Sequence, residues 1–322
     1  METRSLGKSG LRVSTVGVGC NNFGMSIDEA GTKTVVHKAL DLGITLFDTA
    51  DIYGQSNSET FLGKALGPKR KDIVLATKFG MAMGEGLQLR GGGSRDYIMR
   101  AAEASLRRLG TDYIDLYQIH QPDAATPIEE TMRAMDDLVR QGKVRYIGHS
   151  NFKGWQAADA AWTAQVRNLT PFVSAQNRYS LLTRDIEADL VPACEAHGVS
   201  ILPYFPLESG LLSGKYKHGE KPAEGTRWAA WSAYAPGYAK QFFSDEKFAQ
   251  VGKLQALCDA HGHSMLELAV GWLLSRPYVA SVIAGATKAE QLEQNVKAAA
   301  WRPSSEEAGK IEEITAPPKP PF

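Results

Sequence analysis

The sequence has few cysteines, no imbalance of charge and no long apolar run. Its three cysteines, Cys20, Cys194 and Cys258, are odd in number and widely spaced, which argues against a disulfide framework and favours reduced thiols. Lys plus Arg and Asp plus Glu each total 36, so the charge balance gives no reason to expect nucleic acid or a membrane as partner. Because the chain also lacks an apolar signal core and any run of about 18 apolar residues, we expect a cytoplasmic protein.

Several motifs of other enzyme classes are absent too. There is no G-x-S-x-G and no reactive-cysteine pattern, so the sequence offers no pair of nucleophile and base. No set of metal ligands is predicted, because His261 and His263 are two residues apart and would lie on different faces of a helix. The segment GVGCNNFG has Asn22 where a dinucleotide fingerprint needs its third glycine, which argues against a Rossmann fold.

Eight short apolar runs alternate with stretches of helical spacing along the 322 residues. Each run is too short for a helix and suits a strand that is buried on both faces. The runs are Val13–Gly19, Ile44–Thr49, Ile73–Lys78, Tyr113–His120, Val144–Ser150, Phe172–Gln176, Val199–Tyr204 and Val279–Gly285. Strict alternation of strand and helix predicts parallel strands with right-handed crossovers, and eight units predict one α/β domain over residues 1–322, a (β/α)₈ TIM barrel.

Two segments depart from this repeat. Thr3–Leu6 and Leu11–Val13 flank a glycine-containing turn, which predicts an N-terminal β-hairpin that covers the barrel floor. The connection from Pro206 to about Ser244 is long and rich in aromatic residues. Because it follows strand seven, at the end of a barrel where active sites lie, we expect it to have a functional role.

The carboxyl ends of the first strands carry a chemically distinctive set of side chains. Asp48, Lys78 and His120 end three strands, and Tyr53 follows the second. Each alone has an ordinary explanation: a helix cap, a surface cation, a satisfied histidine or simple packing. Four at matching depth on adjacent strands favour an active site.

These four residues suit the donation of a proton to a carbonyl oxygen. Tyrosine, with a pKa of about 10, is a poor acid at neutral pH. We expect the Lys78 ammonium to lower the pKa of Tyr53 and Asp48 to hold that lysine in place. His120 is expected to hydrogen-bond the substrate oxygen and orient it.

A site that has a general acid but neither a nucleophile nor a metal needs a reducing cofactor. A barrel can bind the phosphates of such a cofactor with the loops after strands seven and eight. The first loop, Pro206–Tyr216, contains Gly210 and Lys215. The second, Gly285–Asn295, runs directly into a helix N-terminus, which favours an anion. The alternative for the second loop is an ordinary capping box of Thr287 with Glu290, and Lys215, Arg227 and Lys288 are equally compatible with surface cations.

The whole pattern resembles the aldo-keto reductase family. Five stretches carry the resemblance, and their order and spacing extend over nearly the whole chain: LFDTADIYG, VLATKFG, YIDLYQIHQPD, VRYIGHSNF and ILPYFPLESGLLSGKY. The long segment after Pro206 is closer to bacterial members and to potassium-channel β subunits than to aldose reductases. The resemblance implies a catalytic tetrad of Asp48, Tyr53, Lys78 and His120, with Tyr53 as general acid in reduction.

The resemblance also implies NADPH as cofactor and suggests which residues contact it. Ser150, Asn151 and Gln176 match the residues that hold the nicotinamide carboxamide, and Tyr204 matches the aromatic that stacks on the ring. The other implied contacts are Cys20 and Asn21 near the first strand; Phe205, Pro206, Leu207, Ser209, Lys215 and Arg227 at the pyrophosphate; and Gly285, Thr287, Lys288, Gln291, Gln294 and Asn295 at the adenosine phosphate. Gln291 stands where well-known members have an arginine, which leaves NADH possible.

Three functions compete on the sequence alone. The first is a carbonyl reductase of aldehydes or ketones, or the reverse dehydrogenation of a sugar or alcohol. Its pocket would be lined by Phe23, Phe79, Met81, Trp228 and Trp231, although core or loop packing explains each of these equally. The second is a cofactor-binding regulatory or redox-sensing protein, like the channel β subunits. The third, a Schiff-base isomerase or lyase, is disfavoured because Asp48 would keep Lys78 protonated.

Overall fold

The structure is a computed structural model that describes residues 1–84, 91–220, 223–224 and 226–316. At positions 227, 230, 231, 234, 238 and 241 it describes the backbone alone. Of the sequence predictions, the side chains of Arg227 and Trp231 therefore lie outside the described residues.

Ten β-strands occur in the described residues. They are β1 Thr3–Ser5, β2 Arg12–Ser14, β3 Val16–Gly19, β4 Leu46–Asp48, β5 Val74–Phe79, β6 Ile114–Ile119, β7 Val144–Ser150, β8 Phe172–Arg178, β9 Ser200–Tyr204 and β10 Val282–Gly285. Eight of them form one parallel sheet in the order β10-β3-β4-β5-β6-β7-β8-β9, and a parallel bridge between Ile201 and Val279 joins its two edges. The predicted (β/α)₈ barrel is confirmed.

Twelve α-helices in the described part of the chain surround this barrel. They are α1 Glu29–Asp41, α2 Asn57–Leu66, α3 Arg95–Leu109, α4 Ile128–Arg140, α5 Gly154–Arg167, α6 Leu190–His197, α7 Arg227–Tyr234, α8 Pro236–Phe242, α9 Asp245–His261, α10 Met265–Ser275, α11 Ala289–Ala298 and α12 Ser305–Thr315. None of the described helices is both long and apolar enough to cross a bilayer.

Local signals in the sequence determine where these helices begin and end. Helix α3 begins after Ser94, whose Oγ accepts a hydrogen bond from the Tyr97 N–H at 3.4 Å. It ends at Gly110, whose φ of 63° lies in the left-handed region that favours glycine. Between the two caps, Ile98 and Leu106 face the barrel and are buried, so capping and apolar spacing agree on one helix.

The N-terminal hairpin forms as predicted, but the first apolar run divides in two. Strand β1 pairs antiparallel with β2, and Leu6 and Val13 pack against barrel-interior residues such as Leu46. The sequence predicted one strand over Val13–Gly19, whereas Val13 belongs to the hairpin and the barrel strand begins at Val16. The break lies at Ser14, whose Oγ donates to the Val16 carbonyl at 2.7 Å and accepts from the Thr45 N–H at 2.9 Å.

The long segment after β9 folds against the same end of the barrel as the predicted active site. It contains a 3₁₀ turn at Glu208–Ser213 and helices α7 and α8. Trp228 stacks on Phe243 with ring centroids 4.8 Å apart, and its edge contacts Tyr216. The segment thus packs around its own aromatic cluster.

Candidate active site

At the carboxyl ends of β4 and β5, Asp48 and Lys78 form a buried ion pair. The Lys78 Nζ lies 2.7 Å from Asp48 Oδ2 and also donates to the Thr49 carbonyl at 2.9 Å. Lys78 has no exposed surface. Burial lowers the pKa of Lys78, but Asp48 and Tyr53 more than offset this, so its pKa lies above the usual value and the side chain is charged.

The second oxygen of Asp48 is held by two glutamines from other strands. Its Oδ1 accepts hydrogen bonds from Gln176 Nε2 at 2.9 Å and from Gln118 Nε2 at 3.3 Å. Gln118 was not among the predicted site residues. It lies two residues before His120, and side chains two apart in a strand share a face, so the alternation along β6 could have identified it.

Tyr53 lies in the turn after β4, between Lys78 and His120. The Lys78 Nζ is 5.1 Å from the centroid of its ring, and the His120 ring contacts it edge-on with centroids 5.7 Å apart. Burial raises the pKa of Tyr53, and Lys78 lowers it by a smaller amount, so the net direction is upward. The sequence predicted a lowered pKa for Tyr53. Lys78 does lower it, but the prediction was wrong for the net direction because it did not include the effect of burial.

His120 is a neutral imidazole at the end of β6. It is 8% exposed, and its Nδ1 is buried without a hydrogen-bond partner. Burial, together with the Lys78 charge, lowers its pKa to about 3. A neutral imidazole carries one donor and one acceptor, so His120 can donate a hydrogen bond to an oxygen without contributing a charge.

The residues predicted to hold a carboxamide meet beside this group. Asn151, with a φ of 61°, donates from Nδ2 to the His120 carbonyl at 2.9 Å, and its Oδ1 accepts from the Tyr204 hydroxyl at 2.7 Å. The Ser150 Oγ donates to the Gln176 carbonyl at 2.7 Å. Three strand ends, those of β7, β8 and β9, therefore form one continuous polar surface.

The two residues after β3 that were predicted to contact the cofactor differ in exposure. Asn21 is partly exposed, whereas Cys20 is buried. Burial, with Asp48 nearby, raises the pKa of the Cys20 thiol well above its usual value. Cys20 is therefore an unreactive thiol beneath the site.

The loop after β9 is strained and contains an unsatisfied polar atom. Phe205, Glu208 and Ser209 have positive φ angles of 52°, 45° and 57°, a conformation that is costly for residues other than glycine and is often found at ligand sites. Ser209 is 5% exposed, and its Oγ is buried without a partner. A methyl on Gly210 would lie 2.7 Å from the Lys215 Nζ. Of the neighbouring predicted contacts, Pro206 is buried and Leu207 is partly exposed. The Lys215 cation above a tight glycine turn fits a phosphate-bearing ligand.

Glu208 anchors that loop, and the sequence reasoning missed it. This fully buried carboxylate accepts from Arg178 Nη2 at 2.7 Å, from Lys247 Nζ at 2.9 Å and from Ser180 Oγ at 2.7 Å. Burial raises the pKa of Glu208, but the two cations and their hydrogen bonds more than offset this and hold the pKa below its usual value. The Arg178 guanidinium also lies 3.7 Å from the ring centroid of Phe242. The carboxylate thus joins the loop to β8 and α9, and Arg178 extends the contact to α8.

We predict that Glu208→Gln lowers the free energy of unfolding by about 2–3 kcal/mol, somewhat less than the ~3–5 kcal/mol typical of a fully buried pair, because Arg178 and Lys247 are partly exposed. Urea unfolding measures the change. The control is Glu220→Gln, since Glu220 is exposed and lies 3.8 Å from Lys217; such a surface pair contributes at most about 1 kcal/mol. Equal stability of the two variants would show that Glu208 is not an anchor.

The N-terminus of α11 does not have the capping box of Thr287 with Glu290 that the sequence offered as an alternative. The Gln291 Oε1 accepts from the backbone N–H groups of Thr287 at 2.8 Å and Lys288 at 3.2 Å. The cap is therefore made by Gln291, and not by Thr287 with Glu290. Asn295 is buried, whereas Gly285, Lys288 and Gln294 are exposed. Lys288 is thus accessible to an anion at this helix end.

The residues predicted to line a substrate pocket do not share one environment. Phe23 and Phe79 have no exposed surface and belong to hydrophobic clusters, as core packing would have them. Met81 is partly exposed. Trp228 is partly exposed as well and packs in the aromatic cluster of the long segment.

A second pair of carboxylates lies behind the turn that carries Tyr53. Asp51 is 1% exposed; its Oδ1 has no hydrogen-bond partner, and its Oδ2 accepts from the Tyr97 hydroxyl at 3.5 Å. Glu59 is fully buried and accepts from Thr77 Oγ1 and from Arg108 Nε, both at 2.6 Å. Burial, followed by repulsion from Glu59, raises the pKa of Asp51 to about 7. Arg108, the cation of this group, thus donates to Glu59, and the Asp51 carboxylate accepts only the long hydrogen bond from Tyr97 among the described side chains.

Comparison with known proteins agrees with this geometry. A profile of the Aldo/keto reductase family matches residues 15–316. The chain belongs to the aldo/keto reductase family. An uncharacterized oxidoreductase of Bacillus subtilis, YrpG, is 38% identical over 308 residues, covering 92% of this chain and 91% of that protein. A probable voltage-gated potassium channel subunit beta of Arabidopsis thaliana is 36% identical over 303 residues, with coverage of 92% and 91%. The family and the first relative support an oxidoreductase.

Proposed function

We propose that this aldo/keto reductase reduces aldehydes or ketones to alcohols with NADPH as cofactor and Tyr53 as general acid. The observation that carries the proposal is the buried, charged Lys78, which is paired with Asp48 at 2.7 Å and lies 5.1 Å from the ring centroid of Tyr53. A cation fixed at this place favours the phenolate that remains once the proton has left.

Each residue of the tetrad has a distinct task in this proposal. Tyr53 donates its proton to the carbonyl oxygen of the substrate. Lys78 remains charged throughout because Asp48 accepts from its Nζ, and so it stabilises the Tyr53 oxygen after proton transfer. His120, neutral because its pKa is about 3, donates a hydrogen bond to the same substrate oxygen and orients it. In the reverse direction Tyr53 accepts the proton from an alcohol.

When bound, the reduced nicotinamide supplies the hydride. We assign its carboxamide to Ser150, Asn151 and Gln176, and its ring to the partly exposed Tyr204. Ser209, with its unpartnered Oγ, and Lys215 would contact the pyrophosphate. Lys288 and Thr287 are assigned to the 2′-phosphate, since the Gln291 side chain already caps α11; this exposed lysine is the reason to prefer NADPH to NADH.

The test is a fluorescence titration with NADPH and NADH, followed by absorbance at the nicotinamide band with a panel of aldehydes. We expect tight NADPH binding, weaker NADH binding and aldehyde-dependent oxidation. Lys288→Ala should bring the two affinities together. An absence of binding of both nucleotides would remove the cofactor site from the proposal.

The relative named as a probable potassium channel subunit favours a second candidate, a cofactor-binding regulatory protein. The same experiment separates the two, because tight binding without turnover across the panel would support regulation. We place either activity in the cytoplasm, where the three buried free cysteines would remain reduced.

A further inference from the structure

Helix α5 carries apolar side chains on both of its faces. The residues buried against the barrel are small: Gly154, Ala157, Ala160 and Ala164. On the opposite face, Trp155 is 66% exposed, Trp162 56% and Val166 70%. A helix at a protein surface normally turns its apolar side chains inward and its polar ones outward. The outward face of α5 departs from this pattern, which is typical of a surface that a partner covers.

The three outward apolar side chains of α5 lie in one line. They are three of the five large apolar side chains that are exposed in the described residues. Trp155, Trp162 and Val166 are seven and four positions apart, and these spacings keep residues on one face of a helix. Asp159, which is also exposed, lies on the same face between the two tryptophans. We call these four residues the α5 stripe.

The α5 stripe is large enough to form an interface. A tryptophan side chain buries up to about 250 Å² when it is fully covered, so the exposed parts of the three apolar residues amount to roughly 300–400 Å². A contiguous apolar patch of this size is characteristic of an interaction surface. Two such patches supply about 600–800 Å², and with a rim of polar residues a pair of them reaches the roughly 1,000 Å² that a specific interface needs.

The charges on α5 fit a second copy of the same helix. Asp159 is exposed in the middle of the stripe. The Arg167 side chain, near the end of the helix, is half exposed beside Glu129 of α4. When two α5 helices pack antiparallel about a two-fold axis level with residue 163, position 159 of each lies opposite position 167 of the other. Because such an interface is isologous, this pair of opposite charges forms twice.

The same register brings the bulkiest side chains to the centre of the interface. Trp162 lies one residue from the level of the two-fold axis, so the two Trp162 side chains meet there. Tryptophans near the centre of an interface are the residues that most often carry its binding energy. Pairing Asp159 with Lys153 instead would move the axis to the level of residue 156 and leave Trp162 beyond the end of the partner helix. The charge pattern and the apolar pattern therefore favour one register.

We propose that the α5 stripe is a docking surface for a second copy of this chain, with the two α5 helices antiparallel and Asp159 of each copy beside the partner's Arg167. The stripe shares no residue with the site at Asp48 and Lys78, so the proposal does not depend on the reductase function.

Sedimentation velocity of the full chain measures this association. We expect a monomer–dimer equilibrium with a dissociation constant on the order of 10 µM, because interfaces of this size are transient. Trp162→Glu should raise the constant by about 30-fold or more, the effect of losing one central side chain. Met25→Glu is the control, since Met25 is 70% exposed but lies between β3 and α1, and it should associate like the wild type.

A charge swap tests the register. Asp159→Arg places like charges at both pairs, as does Arg167→Asp, and each should weaken association by about tenfold. Combining the two substitutions should restore the wild-type constant to within about threefold, because opposite charges face each other again.

Three results would contradict the proposal. A chain that remains monomeric at ten times the expected dissociation constant overturns it and leaves the α5 stripe to a different protein. A dimer that Trp162→Glu does not weaken also overturns it, because the interface then lies elsewhere. A combined charge variant that associates as weakly as the single ones overturns the antiparallel register.

Discussion

Tyr53→Phe is expected to lower aldehyde turnover by about 10²–10⁴-fold, the usual contribution of a general acid, and to leave the dissociation constant of NADPH nearly unchanged. The substitution removes the proton donor, while the ring keeps its place between Lys78 and His120. Steady-state kinetics and nucleotide titration of the same preparation measure the two quantities.

Tyr117→Phe is the matched control, since Tyr117 is a fully buried tyrosine on β6 whose hydroxyl has no hydrogen-bond partner. Its loss should leave turnover as in the wild type. If Tyr53→Phe turns over aldehydes at the wild-type rate, Tyr53 is not the acid, and if it loses NADPH affinity to the same extent as turnover, the residue serves binding instead.

Asp51→Asn is expected to stabilise the protein, and more so at high pH. The folded-state pKa of Asp51 is raised to about 7 from an ordinary value of 3.8. Between these values the native state holds a proton that the unfolded state has released, so wild-type stability falls as the pH rises, by about 4 kcal/mol once both pKa values are passed. Asparagine resembles the protonated acid and avoids this loss.

The groups that face Asp51 are Glu59 on α2, Tyr97 and Arg108 on α3, and Tyr117 on β6. Among them, Glu59 accepts from Arg108. The gain of Asp51→Asn over wild type, measured by urea unfolding, should therefore grow by roughly 2–3 kcal/mol between about pH 5 and pH 8. A gain that does not change with pH would mean that Asp51 is ionised at both values.

Asp136→Asn provides a control of opposite sign. Burial raises the pKa of Asp136, but hydrogen bonds from Thr170 and Arg140 more than offset this and hold it below its usual value. The charged form therefore contributes stability that is present above the ordinary pKa and is lost as the pH falls through the folded value. Asp136→Asn should destabilise at neutral pH, and this difference should shrink in acid.

The barrel and the tetrad could be predicted from sequence because both depend on local pattern. Every predicted apolar run overlaps a barrel strand, since a strand buried on both faces is mostly apolar, and Asp48 and Lys78 follow from where β4 and β5 end. The errors lie where the outcome depends on distant parts of the chain. Glu208 is recognisable as an anchor only once β8 and α9 bring Arg178 and Lys247 to it.

Burial was the other quantity that the sequence could not provide. Phe23 and Phe79 suit a substrate pocket as well as a core, and only the structure shows that neither has any exposed surface. The same is true of Tyr53, where the effect of a nearby lysine on the pKa is readily anticipated and the larger effect of desolvation is not.

The order of strands in the barrel has a consequence for synthesis on the ribosome. The first barrel strand to emerge, β3, receives one of its two neighbours from β10, the last, where Val282 pairs with Val16. Until residue 285 has left the exit tunnel, the nascent sheet retains two open parallel edges, and such edges readily pair with other chains. Ring closure therefore waits until β10 has emerged and paired with β3, and until then both edges of the sheet are open to other chains.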